Sequence, residues 1–292
     1  MTSRSESGRG REPGHEAGRG QRPAWAEHVG PSTLRRAVRA TATVERGRVE
    51  VRTELTGLGG ADGAPEGIEA VGMVHRAVFD RRAGRAAAET DMSDLATVAA
   101  DATADYTRPA RMVVDGDSVY TQVGPLAGEL GLSPESWVRR DLDSVLDRGI
   151  DSETAALLLA PLGMIEVLLT PVRAIRVVGD GVAGGVDAVH LAATLDLVAA
   201  RALDPEPSGS DTFTARLHAA GVGDLPVDVW LDAGRVLRRL AVRLDRGLVG
   251  GSGPEGLTTT FELHDVGVDP GISPPEPADV VDAAEVARRS GP

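Results

Sequence analysis

The stretch "AIRVVGDGVAGGVDAVHLAATLDLV", Ala174 to Val198, carries Gly179-x-Gly181-x-x-Gly184 behind a β-branched run. A strand, a tight glycine turn and a helix N-terminus in that order cradle a dinucleotide pyrophosphate, and an acid about 20 residues further on takes the ribose. Asp196 comes too soon after Gly184 for a helix, a turn and a second strand to intervene. Asp204 is better spaced but precedes Pro205 in a polar linker. The residues after the glycines fit helical spacing at Val186, Val189, His190 and Ala193. They fit strand alternation equally at Val189, Leu191, Ala193 and Leu195. Everything downstream reads as hairpins instead of βαβ units. The motif is therefore expected to be a β-turn between antiparallel strands, its glycines serving positive-φ geometry.

The remaining reactive side chains form no familiar constellation. Six histidines (His15, His28, His75, His190, His218 and His264) show no metal-ligand spacing such as HxH or HExxH. Ser252 in "VGGSGPEG" lacks the strand–elbow–helix frame of a GxSxG nucleophile. A hydrolase would need a Ser or carboxylate hydrogen-bonded to one of the histidines. Close acids such as Asp141 and Asp143 are expected among 44 Asp and Glu, and they read as solvated faces or helix ends. With no Cys there is no disulfide, thiol nucleophile or thiolate metal site. No cofactor and no enzymatic activity are expected.

The elements that would position a site follow from periodicity. Ser32 precedes a short helix in "PSTLRRAVRAT". In "VEVRTELT", Val49, Val51, Thr53 and Leu55 alternate with Glu50, Arg52, Glu54 and Thr56, a half-buried strand with one charged face. "IEAVGMVHRAVFD" and "RAAAETDMS" read as two more strands. "RMVVDGDSVYTQV" reads as a hairpin about Asp115-Gly116. "GPLAGELGLSPESWVRRDLDSVLDR" is expected to hold one or two short helices around Trp137. "DSETAALLLAPLGMIEVLLTP" is expected to be an apolar helix, capped by Asp151 or Ser152 and kinked or split at Pro161, with Leu158, Ile165 and Leu168 on one face. "PVDVWLDAGRVLRRLAVRL" gives two strands about Asp232-Ala233-Gly234, and "GLTTTFELHDVGV" another. The Pro-rich "DPGISPPEP" precedes a terminal helix in "ADVVDAAEVARR". Strands, a helical middle and strands again predict one α+β domain, with helices covering one face of an antiparallel sheet.

Composition sets the bounds. Apolar residues are 41% and aromatics only 3%, so a core of Val, Leu and Ala is required. A net charge of −13 argues against nucleic acid, which needs clustered cations. The absence of Lys and Asn reflects GC-rich coding and gives Arg no special meaning. Residues 1–30 read as a disordered Arg/Gly-rich tail without the apolar core of a signal peptide. The ordered domain is expected over 31–292. No apolar run is long enough to span a bilayer, so the chain as given reads as cytoplasmic.

The order "MVVDGDSVYTQVGPL", "SWVRRDL", "IRVVGDGVAGGVDAVHLAATLDL", "VDVWLDAGRVLRRLAVRLD" and "TTTFELHDVGVDPGISPPEPADVVD" resembles the LppX/LprG group of mycobacterial-type envelope lipoproteins, within the LolA-like superfamily. The resemblance spans about Pro31 to Asp282 and implies a strongly curved antiparallel half-barrel around helices, with an apolar cavity between them. It implies a lipid or other apolar ligand, with Leu158, Ile165, Leu168, Trp230, Leu240 and Phe261 as lining residues by predicted face. It also implies an envelope location, although family members carry a signal peptide and lipobox Cys where this chain has its polar tail. A start codon further upstream would reconcile the two. The alternative is a protein-interaction or sensory module with a filled core.

Overall fold

The computed structural model describes residues 22–57, 70–94, 105, 107–142, 165, 168–203, 221–245 and 256–290. Among the described residues twelve strands form a single sheet. The first half contributes β1 (Arg46–Thr56), β2 (Ala70–Asp80), β3 (Arg85–Asp91), β4 (Ala110–Asp115), β5 (Ser118–Gln122) and β6 (Trp137–Asp141). The second half contributes β7 (Val172–Ala183), β8 (Val186–Asp196), β9 (Asp224–Leu231), β10 (Leu237–Asp245), β11 (Gly256–His264) and β12 (Val280–Asp282). Strands β1 to β6 pair in sequence, as do β7 to β11, and β1 pairs with β11 to join the two meanders. Every pairing is antiparallel except the short parallel contact of β12 with β6. The result is the expected α+β architecture: an open, curved sheet with helices, and with β7 and β12 as its edges.

One face of this sheet is the core. Val49 and Val51 on β1, Phe79 on β2, Leu191 on β8, Val229 on β9, Leu240 on β10 and Phe261 on β11 belong to one buried cluster. The other positions of β1 carry Glu50, Arg52 and Glu54, so the alternation read from sequence gives the correct face. Helix α1 (Pro31–Ala42) packs on β10 and β7 and buries Leu34 and Ala37 in the same cluster. It begins at Pro31, ahead of the expected Ser32 cap, because proline suits the first helical position. The Gly30 N–H donates to the Thr33 hydroxyl at 3.1 Å and so finds a partner at the helix entrance.

Several segments depart from expectation. Trp137 lies on strand β6, not on a helix: the turn at Ser133–Ser136 ends a single helical turn, Ala127–Leu130, and the chain then pairs with β5. Val280–Asp282 form β12 beside β6, and the terminal helix starts only at Ala283. Residues 22–30, assigned to the tail, pack on the domain. Ala26 is buried, the Trp25 Nε1–H donates to the Ala233 carbonyl at 3.1 Å, and Arg22 pairs with Asp180 at 2.8 Å. Of the apolar segment 151–171, most lies outside the described residues, Leu158 and the Pro161 kink included, as does Ser252.

Candidate functional site

The glycine motif resolves into two roles. Gly179, beside a bulge in the β7–β8 ladder, and Gly181 lie within strand β7, whereas Gly184 and Gly185 make the turn into β8 at φ 56° and 77°. No helix follows, so a dinucleotide fingerprint is absent here and the turn reading holds. The tip of this hairpin reaches β11, where the Gly184 N–H donates to Glu262 Oε1 at 2.8 Å.

The inner face divides into two sectors. Across β8, β9 and β10 it is closed: Leu191, Val229 and Leu240 have no exposed surface. Across β11, β1, β2, β3 and β4 it is uneven: Val49, Val51, Phe79, Phe261 and Leu263 are buried, whereas Leu257, Thr53, Leu55, Met73, Thr90 and Met112 are only half-buried. All six share the core-facing parity, since Leu257, Thr53 and Leu55 alternate with charged or outward positions and Met73, Thr90 and Met112 follow from the pairings of β2, β3 and β4. Beside these half-buried positions the sheet sets its polar inner residues, His75 and Thr259 among them buried. His75 is 3% exposed, lies opposite Val51 and Thr90, and shares a 2.8 Å hydrogen bond between Nδ1 and Thr90 Oγ1. Its Nε2 is buried and, among the described residues, has no hydrogen-bond partner. Burial holds this imidazole below the ordinary histidine pKa and so keeps it neutral. One row along, the Thr53 and Thr259 hydroxyls stand 3.5 Å apart, a long contact that leaves both with spare capacity.

The outer face is charged. Directly opposed residues form one row across eight strands: His190, Trp230, Arg239, Glu262, Glu50, Arg76, Glu89 and Arg111. Arg239 pairs with Glu262 at 2.8 Å, Arg76 with Glu50 at 3.3 Å and Arg111 with Glu89 at 2.8 Å. The His190 and Trp230 rings stack at 4.1 Å and 7°, and Arg239 lies 5.3 Å from the indole centroid. His190 Nε2 also meets Asp228 Oδ1 at 2.7 Å. This is a histidine–carboxylate pair of the kind a hydrolase needs. It stands on an open sheet face, and among the described residues no Ser or Thr hydroxyl is hydrogen-bonded to its ring, so it lacks a nucleophile.

The lining residues proposed from sequence therefore part company. Leu240 and Phe261 are directly opposed on the inner face and fully buried. Ile165 and Leu168 belong to the same buried cluster. Trp230 stands on the opposite face, in the charged row. His75, Thr90, Thr53 and Thr259 were not singled out as a set, because only the registers of β1, β2, β3 and β11 bring them together. A separate surface cleft of about 400 Å³ lies at the junction of α1, β1 and the β9–β10 connection, bordered by Val44, Arg46, Arg82 and Val236. It is open to solvent and distinct from the inner face.

A curved, open, mostly antiparallel sheet with one apolar inner face and one charged outer face defines the class, an α+β half-barrel. Several solved structures resemble the chain in fold at low sequence identity. Lipoprotein LppX of Mycobacterium tuberculosis is 15% identical, with 83% of this chain and 97% of that one covered at a TM-score of 0.43. LprF of Mycobacterium bovis is 16% identical, covering 85% and 96% at 0.44. A LolA superfamily protein of Nitrosomonas europaea is 10% identical, covering 80% and 90% at 0.25. No family model and no curated protein matches the sequence. Among the described residues no helix is long and apolar enough to cross a membrane.

Proposed function

We propose that this chain is a non-enzymatic binding protein that holds an apolar or lipid ligand against the inner face of its curved sheet. The observation that carries the reading is the unequal burial of that face. Leu257, Leu55, Met73 and Met112 share the core-facing parity of Leu191, Val229 and Leu240 but keep accessible surface that an apolar ligand would cover. The pattern of sequence elements shared with the LppX/LprG group supports the same reading, as does a charged outer face that directs any apolar ligand inward. Ile165, Leu168, Leu240 and Phe261 then form the floor beside the half-buried positions, and Trp230 is left out of it.

The test is native mass spectrometry of the purified protein, followed by organic extraction and titration with an apolar dye. A co-purifying lipid or saturable dye binding supports the reading. A protein that carries no lipid and binds no dye has lost it.

The second reading, a protein-interaction module, is favoured by the edge hairpin. Val178, Val182 and Val186 are 45%, 62% and 37% exposed on or beside edge strand β7. An edge strand offers unpaired backbone groups to another strand. Loss of partner capture on placing Pro within β7, with dye binding absent from the parent protein, would favour this reading over the first.

A further inference from the structure

We propose that His75 is a polar anchor within the ligand compartment, its Nε2–H donating to the acyl carbonyl or carboxyl oxygen of an amphiphilic ligand. This rests on the reading of the inner face as a ligand compartment and gives that ligand a chemical class. A fatty acyl group, free or esterified, fits; a pure hydrocarbon leaves the anchor unused.

A buried polar side-chain atom without a partner costs stability and calls for a reason. His75 Nε2 is such an atom, on a residue only 3% exposed. The opposite edge of the ring is occupied by the Thr90 hydroxyl at 2.8 Å. That hydroxyl can rotate to donate to Nδ1, and the ring then carries its proton on Nε2 as a donor. The neighbours on the same face fit one acyl group. Thr53 and Thr259, held to each other only at 3.5 Å, offer hydroxyls for a second oxygen. Met73, opposite Thr53 and half-buried, is an adaptable thioether surface for the chain that follows. Because a carboxylate oxygen and an ester carbonyl oxygen both accept from an imidazole N–H, the two sources share this chemistry.

The experiment compares dodecanoic acid, methyl dodecanoate and dodecane on wild type and on His75→Leu, by equilibrium dialysis, with ¹⁵N NMR of the wild-type imidazole during titration. Wild type is expected to bind all three, and a shift of the Nε2 resonance is expected with the acid and the ester but not with dodecane. His75→Leu is expected to weaken the acid and the ester about tenfold, the loss of one hydrogen bond, and to leave dodecane unchanged. His75→Gln, which keeps an N–H donor, is expected to recover part of the loss. Weakening of the acid alone supports the anchor with a free carboxyl as its partner; weakening of both supports an acyl carbonyl from either source. Unchanged acid and ester binding by His75→Leu, with dodecane still bound, overturns the anchor and leaves the compartment standing. Failure of all three ligands to bind wild type overturns the compartment and the anchor with it. The NMR arm needs no variant, so an Nε2 resonance unmoved by both bound acid and bound ester overturns the anchor even if His75→Leu does not fold.

Discussion

Gly184 sits directly against the carbonyl oxygen of Leu263, so close that a Cβ built on it would lie far inside van der Waals contact with that backbone atom. The hairpin tip between β7 and β8 is thereby fastened to β11, and the Gly184 N–H is bonded to Glu262 on the same strand. The glycine is required twice over, by positive φ and by the close approach.

Alanine substitution along the motif should therefore give a graded series. Gly184→Ala is expected to cost more than about 2 kcal/mol, because left-handed backbone alone costs roughly 1–2 kcal/mol and the Leu263 carbonyl must also move. Gly185→Ala, at φ 77° with open space around it, should cost only the left-handed share. Gly179→Ala and Gly181→Ala, at negative φ and with no neighbour within 4 Å of an added Cβ, should be near neutral. Urea unfolding of the four variants checks the order.

That series marks how much the sequence disclosed. A turn between antiparallel strands was legible from the missing second strand of a nucleotide fold. The contact that makes Gly184 special was not, because β11 lies some 80 positions away along the chain. Local alternation disclosed the faces of β1 and β11. It misplaced Trp230, since "VDVWL" is apolar at both parities near its end. The deciding signal was present: Asp224 and Asp228 share Trp230's parity, and Leu225, Val227, Val229 and Leu231 take the other. Trp137 was missed for another reason. Its strand is held by β5 and by the distant β12, and nothing local separates it from a short helix.

Thr41 is fully buried on α1 and does two jobs: its hydroxyl donates to the Ala37 carbonyl at 2.8 Å and accepts the Leu237 N–H at 2.9 Å. The second bond satisfies a backbone donor beside the bulge that opens β10. Thr41→Val should strand that N–H and cost about 1–3 kcal/mol, while Thr41→Ser should lose far less. Thermal unfolding, with hydrogen exchange at the Leu237 amide, distinguishes the two.

Glu262 faces Glu50 across the strand pair, a like-charge opposition offset by Arg239 and Arg76. Burial pushes its carboxyl upward, but the Gly184 N–H, and then Arg239 through its hydrogen bond and charge, hold it below the ordinary glutamate value. A lowered folded pKa means that the unfolded chain binds more protons as pH falls, so this stabilisation is complete above the unfolded pKa and is lost as pH drops through the folded one. Glu262→Gln should lower stability at neutral pH by about 1 kcal/mol and flatten the acid limb of the stability curve. Equal acid limbs in wild type and variant would contradict the assignment.

Trp230 and Leu240 were grouped by sequence and are separated by the fold. Trp230→Ala should cost about 1–2 kcal/mol through its lost stack on His190 and its contact with Arg239, and should leave apolar dye affinity unchanged. Leu240→Ala empties a closed part of the core and should cost about 2–5 kcal/mol. A Trp230→Ala variant with weakened dye binding at full folding would place the ligand on the outer face instead.

His75 provides a pH signature that does not depend on any ligand. The inner-face positions directly opposite it, Val51 and Thr90, carry no charge, so burial alone lowers its pKa. The unfolded chain takes up a proton near pH 6.5, the ordinary histidine value, while the folded chain resists until lower pH. More protons bound in the unfolded state means stability that rises with pH across that interval, fully present above the unfolded pKa and lost as pH falls toward the folded one. Denaturant midpoints between neutral pH and mild acid should therefore decline in wild type, and the part of the decline owed to His75 should vanish in His75→Leu. A bound acyl carboxylate would favour the imidazolium and raise the folded pKa, so adding dodecanoic acid should shrink the same slope, whereas dodecane should leave it in place.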